Sequence, residues 1–157
     1  MRITSSYKMK LTGDLKALEN SIHIYRNAIH FVIPIVDAHW NEMKDFEYSN
    51  QRMMYVESLV HSTSKNKAQY DFDEKFPKFP SYLRRAVLNL ALGIVSSYHS
   101  NLANWEKEPK GQVSQLSLTN YAYPAYYKKN LFRNFDPVKQ TIELKVFKNG
   151  DWVFEVY

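Results

Sequence analysis

Residues 141–157 read TIELKVFKNGDWVFEVY, and apolar and polar residues alternate on both sides of the pair Asn149 and Gly150. Such alternation is typical of a strand that is buried on one face, and the Asn-Gly pair supplies the positive backbone angles of a two-residue turn. The alternating apolar positions are Ile142, Leu144, Val146, Trp152, Phe154 and Val156. The stretch therefore predicts a β-hairpin.

The first thirteen residues, MRITSSYKMKLTG, alternate in a similar way and predict a half-buried strand that ends at Gly13. The polar face of this strand would carry Arg2, Lys8 and Lys10. These three cations could follow a phosphate backbone, or they could form an ordinary solvated outer face of a sheet. We expect the strand to pair with the hairpin.

Three segments between the predicted strands have apolar residues at steps of three and four, the period of a helix face. The first begins at Asp14 and continues to about residue 43, with a kink or break expected at Pro34 because proline removes a backbone donor. The second covers residues 50–61 and the third residues 80–106. Residues 62–80 are polar and end in FPKFP, so we expect a surface loop there.

These elements predict an α+β fold with a small β-sheet or barrel formed by the N-terminal strand and the C-terminal hairpin. Residues 1–13 and 111–157 would form this barrel-like wedge, and residues 14–110 would be an inserted antiparallel helical subdomain. Tyr157 ends inside a strand pattern without a polar tail, so we expect the sequence to be a fragment of a longer chain.

The chain is basic, with a formal net charge of +5, and contains no cysteine. Residues 1–13 and 111–135 each carry three basic residues and no acidic one. Such an excess favours polyanionic partners, while the absence of cysteine excludes disulfides and thiolate zinc sites. No secretory signal or membrane-length apolar run is present, so we expect a soluble, cytoplasmic protein without a membrane partner.

No motif for catalysis, a cofactor or a metal is found in the sequence. His23 and His30 could share a helix face and His39 lies near Glu42, but neither pair forms an HExxH arrangement. The sequence has no GxxxxGK[ST], GxGxxG or GxSxG pattern. We therefore expect no cofactor, no metal and no catalytic residue, although a small enzyme with a pocket between the long helices stays an alternative.

Residues 120–135, NYAYPAYYKKNLFRNF, combine six aromatic with three basic residues and have no acidic side chain. Rings can stack on unpaired bases while cations neutralise phosphates, but the same rings could fill a core. We expect a division in which Phe132, Phe135 and Tyr123 are buried. The exposed side chains would then be Tyr126 or Tyr127 together with Lys128, Lys129 and Arg133.

Arg84 and Arg85 form a further basic pair, at the start of the third predicted helix. The unpaired amides of a helix start accept phosphate groups, so the pair could contact nucleic acid. An exposed helix face would explain the two arginines equally well.

Three segments together resemble the N-terminal part of the TnpB (OrfB) family of insertion-sequence transposase-like proteins, which are RNA-guided DNA nucleases. They are YLRRAVLNLALGIVSSYHSNLANWE at 82–106, PAYYKKNLF at 124–132 and IELKVFKNGDWVFEVY at 142–157. The resemblance implies a wedge-like β-barrel interrupted by a helical recognition subdomain. In that family this half of the protein grips the guide RNA and helps to read a short DNA motif beside the target.

The resemblance also implies which side chains contact guide-type RNA and DNA, and what this chain lacks. The implied contact residues are Arg2, Lys8, Lys10, Arg84, Arg85, Tyr126, Tyr127, Lys128, Lys129 and Arg133. The metal-binding carboxylates and the zinc ribbon of the family would lie in a C-terminal nuclease domain beyond residue 157. We therefore expect a chain that binds nucleic acid without cutting it, or alternatively a protein-interaction module with an exposed Tyr and Trp surface.

Overall fold

The computed structural model describes residues 1, 3–118 and 120–157, and it confirms an α+β architecture. Five helices precede a small antiparallel sheet of three strands. The helices are α1 (Lys16–Ala38), α2 (Trp40–Met43), α3 (Ser49–Val60), α4 (Phe72–Lys75) and α5 (Ser81–Lys107). The strands are β1 (Phe132–Asp136), β2 (Thr141–Lys148) and β3 (Asp151–Val156).

The predicted hairpin is confirmed as β2 and β3, which form one side of the sheet. The last paired residues before the turn are Lys148 and Asp151, so the turn has two residues. Asn149 and Gly150 both have positive φ, 53° and 78°, as the type I′ turn requires. Sequence alone therefore places this hairpin correctly, because the turn chemistry and the strand alternation are both local.

The predicted N-terminal strand is wrong, since residues 3–13 form no strand and Arg2 lies outside the described residues. Tyr7 and Met9, which the alternation assigns to a buried face, are 83% and 52% exposed. The place beside β2 is taken by β1, which is joined to β2 by a short connection. Pairing with a strand that is near in the sequence costs less loop-closure entropy than pairing with a distant one. Because the described residues of the N-terminal segment add no strand, the sheet is open, with the order β1-β2-β3.

Helix α1 runs without interruption through Pro34, and the chain leaves the helix at His39 instead. His39 Nδ1 lies 2.5 Å from a carboxylate oxygen of Glu42, and His39 Nε2 lies 2.9 Å from the hydroxyl of Tyr70. These contacts hold the chain where α1 ends and the short α2 begins. The break is therefore stabilised by side chains distant from the proline, which local sequence does not indicate.

The two long helices meet near their C-terminal ends through a histidine–carboxylate hydrogen bond and a stacked ring pair. His99 Nε2, near the end of α5, lies 2.7 Å from a carboxylate oxygen of Asp37, near the end of α1. The His99 ring also stacks on Trp40, with ring centroids 5.3 Å apart and an interplanar angle of 8°.

The N-terminal ends of the same helices meet at the turn end of the hairpin. The Phe147 amide donates a 2.8 Å hydrogen bond to the Ser21 hydroxyl of α1. Trp152, which pairs with Phe147, contacts the ring of Phe79 just before α5, with centroids 5.5 Å apart. Helices α1 and α5 therefore run in the same direction.

Helix α3 runs in the direction opposite to α1 and α5. It extends from the C-terminal end of this helix pair to its N-terminal end. Near its start, the Arg52 guanidinium lies 4.9 Å from the centroid of the Trp40 ring. Near its end, Glu57 forms an ion pair with Arg84 of α5. The prediction of antiparallel helices is consequently confirmed for α3 against its two neighbours and wrong for α1 against α5.

The segment 62–80 is not the surface loop that its prolines predict. Phe72, Phe76 and Phe79 are 0%, 7% and 7% exposed, and their rings contact one another at centroid distances of 4.9–6.1 Å. Phe31 of α1 contacts two of these rings. The prolines do prevent a long helix, but the three phenylalanines bury the segment in the main core.

Two hydrophobic clusters hold the fold together. The main cluster lies among α1, α3, α5 and the Phe72–Phe79 segment, and it includes Leu131 and Trp152. A smaller cluster joins the start of α1 to one face of the sheet through Leu18, Ile142, Leu144 and Val146. Among the described residues, no helix combines the length and the apolar character needed to cross a bilayer.

We predict that Phe72→Ala lowers the free energy of unfolding by about 3–5 kcal/mol, because it removes a fully buried ring and leaves a cavity. Urea unfolding followed by circular dichroism measures this loss. Phe135→Ala is the matched control, since that ring is 53% exposed, and it should change stability by less than about 0.5 kcal/mol. Equal losses in the two variants would contradict the burial of the segment.

Candidate nucleic-acid interface

A tight turn between residues 127 and 132 positions the two neighbouring lysines. The Tyr127 carbonyl accepts hydrogen bonds from the amides of Leu131 (2.9 Å) and Phe132 (3.1 Å), and the Lys129 amide donates to the Phe132 carbonyl (2.7 Å). Leu131 is 1% exposed and anchors the turn in the main core. Lys128 and Lys129 are exposed at the top of a fixed turn, with Lys129 at a φ of 73°.

The start of α5 meets this turn through a pair of tyrosine rings. The centroids of Tyr82 and Tyr127 are 5.8 Å apart at an interplanar angle of 47°, and the residues are 41% and 51% exposed. Arg85 follows Tyr82 by three residues, so both lie on the same side of the helix. We call Tyr82, Arg85, Tyr127, Lys128 and Lys129 the tyrosine–lysine surface.

The tyrosine–lysine surface has more positive than negative charge. Among the residues that the structure describes, Lys128 and Lys129 have no ion pair. The Arg85 side chain is 56% exposed and lies 3.7 Å from the carboxylate of Glu57, which also faces Arg84. One carboxylate therefore serves two guanidinium groups, and the two lysines are uncompensated.

Arg84 is not an accessible contact, although the sequence places it beside Arg85. Arg84 is 6% exposed, and its guanidinium lies 3.6 Å from the carboxylate of Glu57. Its Nε has no hydrogen-bond partner among the described residues. Arg84 faces the core because it lies one position from the exposed side of α5, so it offers little surface for the predicted direct contact, which stays a prediction.

The expected division of the aromatic stretch is also wrong in its details. Tyr126, predicted as a possible exposed ring, donates a 2.9 Å hydrogen bond to the Lys145 carbonyl, and burial raises its pKa. Tyr123 and Phe135, predicted to be buried, are 73% and 53% exposed. Phe132 and Phe135 lie in a strand, and the register of that strand shifts between Arg133 and Asp136. Phe132, before the shift, packs on a hydrophobic cluster, whereas Phe135 does not.

Arg133 lies on the sheet with its charge already paired. Its guanidinium is 4.0 Å from the centroid of the Phe154 ring and 3.3 Å from a carboxylate oxygen of Glu143. The Lys145 ammonium is 5.4 Å from the same ring centroid. Arg133 is therefore a weaker candidate for a phosphate contact than the two free lysines, and its role in binding stays a prediction.

The predicted basic row of the N-terminal segment does not form in the described residues. Lys8 and Lys10 are exposed in a segment without strand pairing, and Arg2 lies outside the described residues. The regular spacing that would let cations follow a phosphate backbone is consequently lost. A contact between either lysine and nucleic acid stays a prediction that no part of the structure tests.

Sequence reasoning missed a second group of aromatic and basic residues, around Arg26. The Arg26 guanidinium lies 4.8 Å from the Tyr123 ring centroid and 6.0 Å from that of Tyr121. It also donates hydrogen bonds to the carbonyls of Ala122 (3.0 Å) and Tyr121 (3.1 Å). Because Arg26 lies 96 residues from Ala122, no local signal could reveal this contact.

The strongest arrangement of catalytic-type side chains is the network at the break between α1 and α2. Glu42 accepts a 2.5 Å hydrogen bond from Tyr55 and lies 2.5 Å from His39, which in turn contacts Tyr70. The bond from Tyr55, and then the one from His39, lowers the pKa of Glu42. The described residues contain no group of three or more potential metal ligands, and we interpret the network as a brace between helices.

Two of the tryptophans that a protein-interaction module would expose are buried. Trp40 and Trp152 are 8% and 7% exposed and belong to the main core. Tyr121 and Tyr123 remain exposed, at 80% and 73%. A protein partner would therefore meet tyrosines rather than these two tryptophans.

Comparison with protein families finds one match over most of the chain. The model of the family described as the Aq_aa04 family matches residues 3–148. No curated protein matches the chain, and no solved structure matches it.

We predict that Glu57→Gln lowers the free energy of unfolding by about 1–3 kcal/mol, because it leaves the buried Arg84 charge without a carboxylate. Arg84→Met should change stability by less than about 1 kcal/mol, because the remaining carboxylate of Glu57 is partly exposed and keeps Arg85 as its ion-pair partner. Urea unfolding of the two variants measures the difference. A larger loss in Arg84→Met than in Glu57→Gln would contradict this account.

We predict that Tyr126→Phe lowers the free energy of unfolding by about 1 kcal/mol near neutral pH, through loss of the hydrogen bond to Lys145. The pKa of Tyr126 is raised in the folded chain, chiefly by burial, so its stabilising contribution is complete below about pH 10 and falls as pH rises further. The stability difference between the parent and the variant should therefore shrink at alkaline pH.

Urea unfolding at about pH 7 and about pH 11 tests the second part of this prediction. Tyr123→Phe is the matched control, because that residue is 73% exposed, and it should unfold like the parent at both pH values. A difference between parent and Tyr126→Phe that grows with pH would show that the sign is wrong.

Proposed function

The chain belongs to the Aq_aa04 family, and we propose that it is a non-catalytic nucleic-acid-binding module. The proposed interface is the tyrosine–lysine surface, where the lysines and Arg85 contact phosphates and the two tyrosines stack on unpaired bases. The contact between the Tyr82 and Tyr127 rings beside two unpaired lysines is the observation that carries this proposal. This ring contact joins the start of α5 to the turn at residues 127–132, which is distant from it in the sequence.

The chemistry of the surface fits a single strand or a loop better than a uniform duplex. Stacking needs bases that are not already stacked on both sides, and two half-exposed rings offer such a platform. The start of α5 adds free amides, because Pro80 precedes it and no side chain caps it. Phosphate contacts would supply most of the affinity, and the rings would supply a preference for unpaired bases.

The resemblance to the TnpB family refines this proposal. We propose that the polymer is the guide-type RNA and the target-adjacent DNA of such a nuclease, and that a C-terminal nuclease domain belongs to the longer chain. The helices at 14–110, between 1–13 and 111–157, fit an inserted recognition subdomain. The open sheet of the described residues would need further strands to close into the barrel-like wedge of that family.

We predict that the double variant Lys128→Gln and Lys129→Gln binds a structured RNA with an unpaired loop more weakly than the parent, with a shallower salt dependence. Loss of two phosphate contacts should reduce the slope of log affinity against log salt by about 1.4–1.8. Fluorescence anisotropy at several salt concentrations measures affinity and slope together. Duplex DNA and duplex RNA in parallel titrations test the preference for unpaired bases.

Lys65→Gln and Lys67→Gln form the matched control, since they remove the same charge from exposed positions outside the surface. Tyr127→Leu separates stacking from charge: it should weaken binding by about fivefold or more without changing the salt slope. Equal losses in the two double-lysine variants would reduce the interaction to general attraction by net charge. Absence of salt-dependent binding by the parent would refute the proposal.

A protein partner is the second candidate, and the exposed pair Tyr121 and Tyr123 around Arg26 favours it. Tyrosine and arginine are common anchors of protein interfaces. The same titrations distinguish the two candidates, because a protein-recognition surface predicts no binding to any of the polymers.

A further inference from the structure

A cavity of about 720 Å³ lies on the side of α1 opposite its packed core face, and its lining shares no residue with the tyrosine–lysine surface. One wall is the exposed side of α1, with Asn27, His30 and Pro34. The facing wall comes from the Phe76–Phe79 segment, and the floor comes from Phe147 and Trp152 of the hairpin. The volume falls in the range of sites for small organic ligands.

The cavity is lined mainly by aromatic rings that are already fixed by one another. Phe31 contacts Phe76 with centroids 5.8 Å apart, and Trp152 contacts Phe79 at 5.5 Å and Phe147 at 5.6 Å. Phe76, Phe79 and Trp152 are buried in the main core, so their positions do not depend on a ligand. A planar apolar ligand could therefore enter without reorganising the wall.

The charge at the rim is positive. The Lys75 ammonium lies 4.9 Å from the centroid of the Phe31 ring, and Lys75 has no ion pair among the residues that the structure describes. No acidic side chain lines the cavity. Asp151, on the adjacent hairpin, is paired with Lys78 at 3.5 Å. An anionic group at the mouth would find the ammonium of Lys75, while two acidic residues, Asp71 and Glu74, line the adjoining pocket that shares Phe31 and Lys75 with this cavity.

We propose that this cavity binds a planar aromatic carboxylate of at least two fused rings. The rings would lie against Phe31, Phe76 and Trp152, and the carboxylate would accept a hydrogen bond from the Lys75 ammonium at the rim. Asn27 and His30 are the other polar side chains of the lining. With so few hydrogen-bonding groups, the wall favours a hydrocarbon ring over a nucleobase, so this site is independent of the proposed nucleic-acid interface.

Isothermal titration calorimetry with 2-naphthoate tests the proposal on the full chain. We expect a dissociation constant of about 0.1 mM or lower. The neutral analogue naphthalene-2-methanol should bind about tenfold more weakly, since it forgoes a hydrogen bond to a charged group. Lys75→Met should weaken binding of 2-naphthoate by a similar factor and leave binding of the neutral analogue unchanged.

Two variants complete the test. Asn27→Phe places a ring in the cavity from an exposed helix position and should abolish binding of both compounds while the circular dichroism spectrum stays that of the parent. Lys67→Met is the matched control for Lys75→Met, and it should bind 2-naphthoate like the parent. Absence of binding to the parent at about 1 mM, unchanged binding by Asn27→Phe, or equal affinity for the neutral analogue would overturn the proposal.

Discussion

The contact between the hairpin and the starts of both long helices is the constraint on which the rest of the structure depends. The backbone of Phe147 binds Ser21 of α1, while the neighbouring Trp152 ring packs on Phe79 at the entry to α5. Because these two hairpin residues are paired, α1 and α5 start side by side, and the contact of Asp37 with His99 near their other ends shows that they run in the same direction. The chain between them then has to return through α3 before α5 begins.

The same constraint creates the proposed interface. Once α5 starts at the hairpin, its first turn lies within reach of the turn at residues 127–132, which enters the sheet as β1. Leu131 inserts into the core beneath that turn, so Tyr127 and its two lysines are held against Tyr82 by buried contacts. An interface anchored in this way loses little conformational entropy on binding compared with a flexible basic tail.

Sequence reasoning succeeded where the signal was local. The Asn149 and Gly150 turn specified the hairpin, and the three- and four-residue period located α3 and α5 to within two residues or so of their ends. It failed where pairing between distant segments decided the outcome: β1 displaced the N-terminal strand, and three phenylalanines drew a proline-containing segment into the core. Hydrophobic periodicity does not specify which segments meet.

The candidate site shows the same contrast between local sequence signals and contacts between distant segments. The basic and aromatic composition of residues 120–135 was visible in the sequence, but two of the three rings expected to be buried, Tyr123 and Phe135, are exposed. The contact of Tyr82 with Tyr127 and the position of Arg26 between two tyrosines depend on the tertiary fold. Composition therefore led to the proposal of a polyanionic partner, which stays a prediction, while the identity of the exposed side chains required the packing.

Arg84 contributes to this surface even though it is buried. Arg84, Arg85, Lys128 and Lys129 lie at or beside the meeting point of α5 and the turn, and Glu57 is the carboxylate that pairs with the two arginines. A buried charge is less screened by salt than an exposed one, and the two arginines share one carboxylate, so under the proposed function this group would add one net positive charge to the potential that attracts a polyanion. In the proposed interface Arg84 would therefore act by long-range attraction, whereas Lys128 and Lys129 would make the direct contacts.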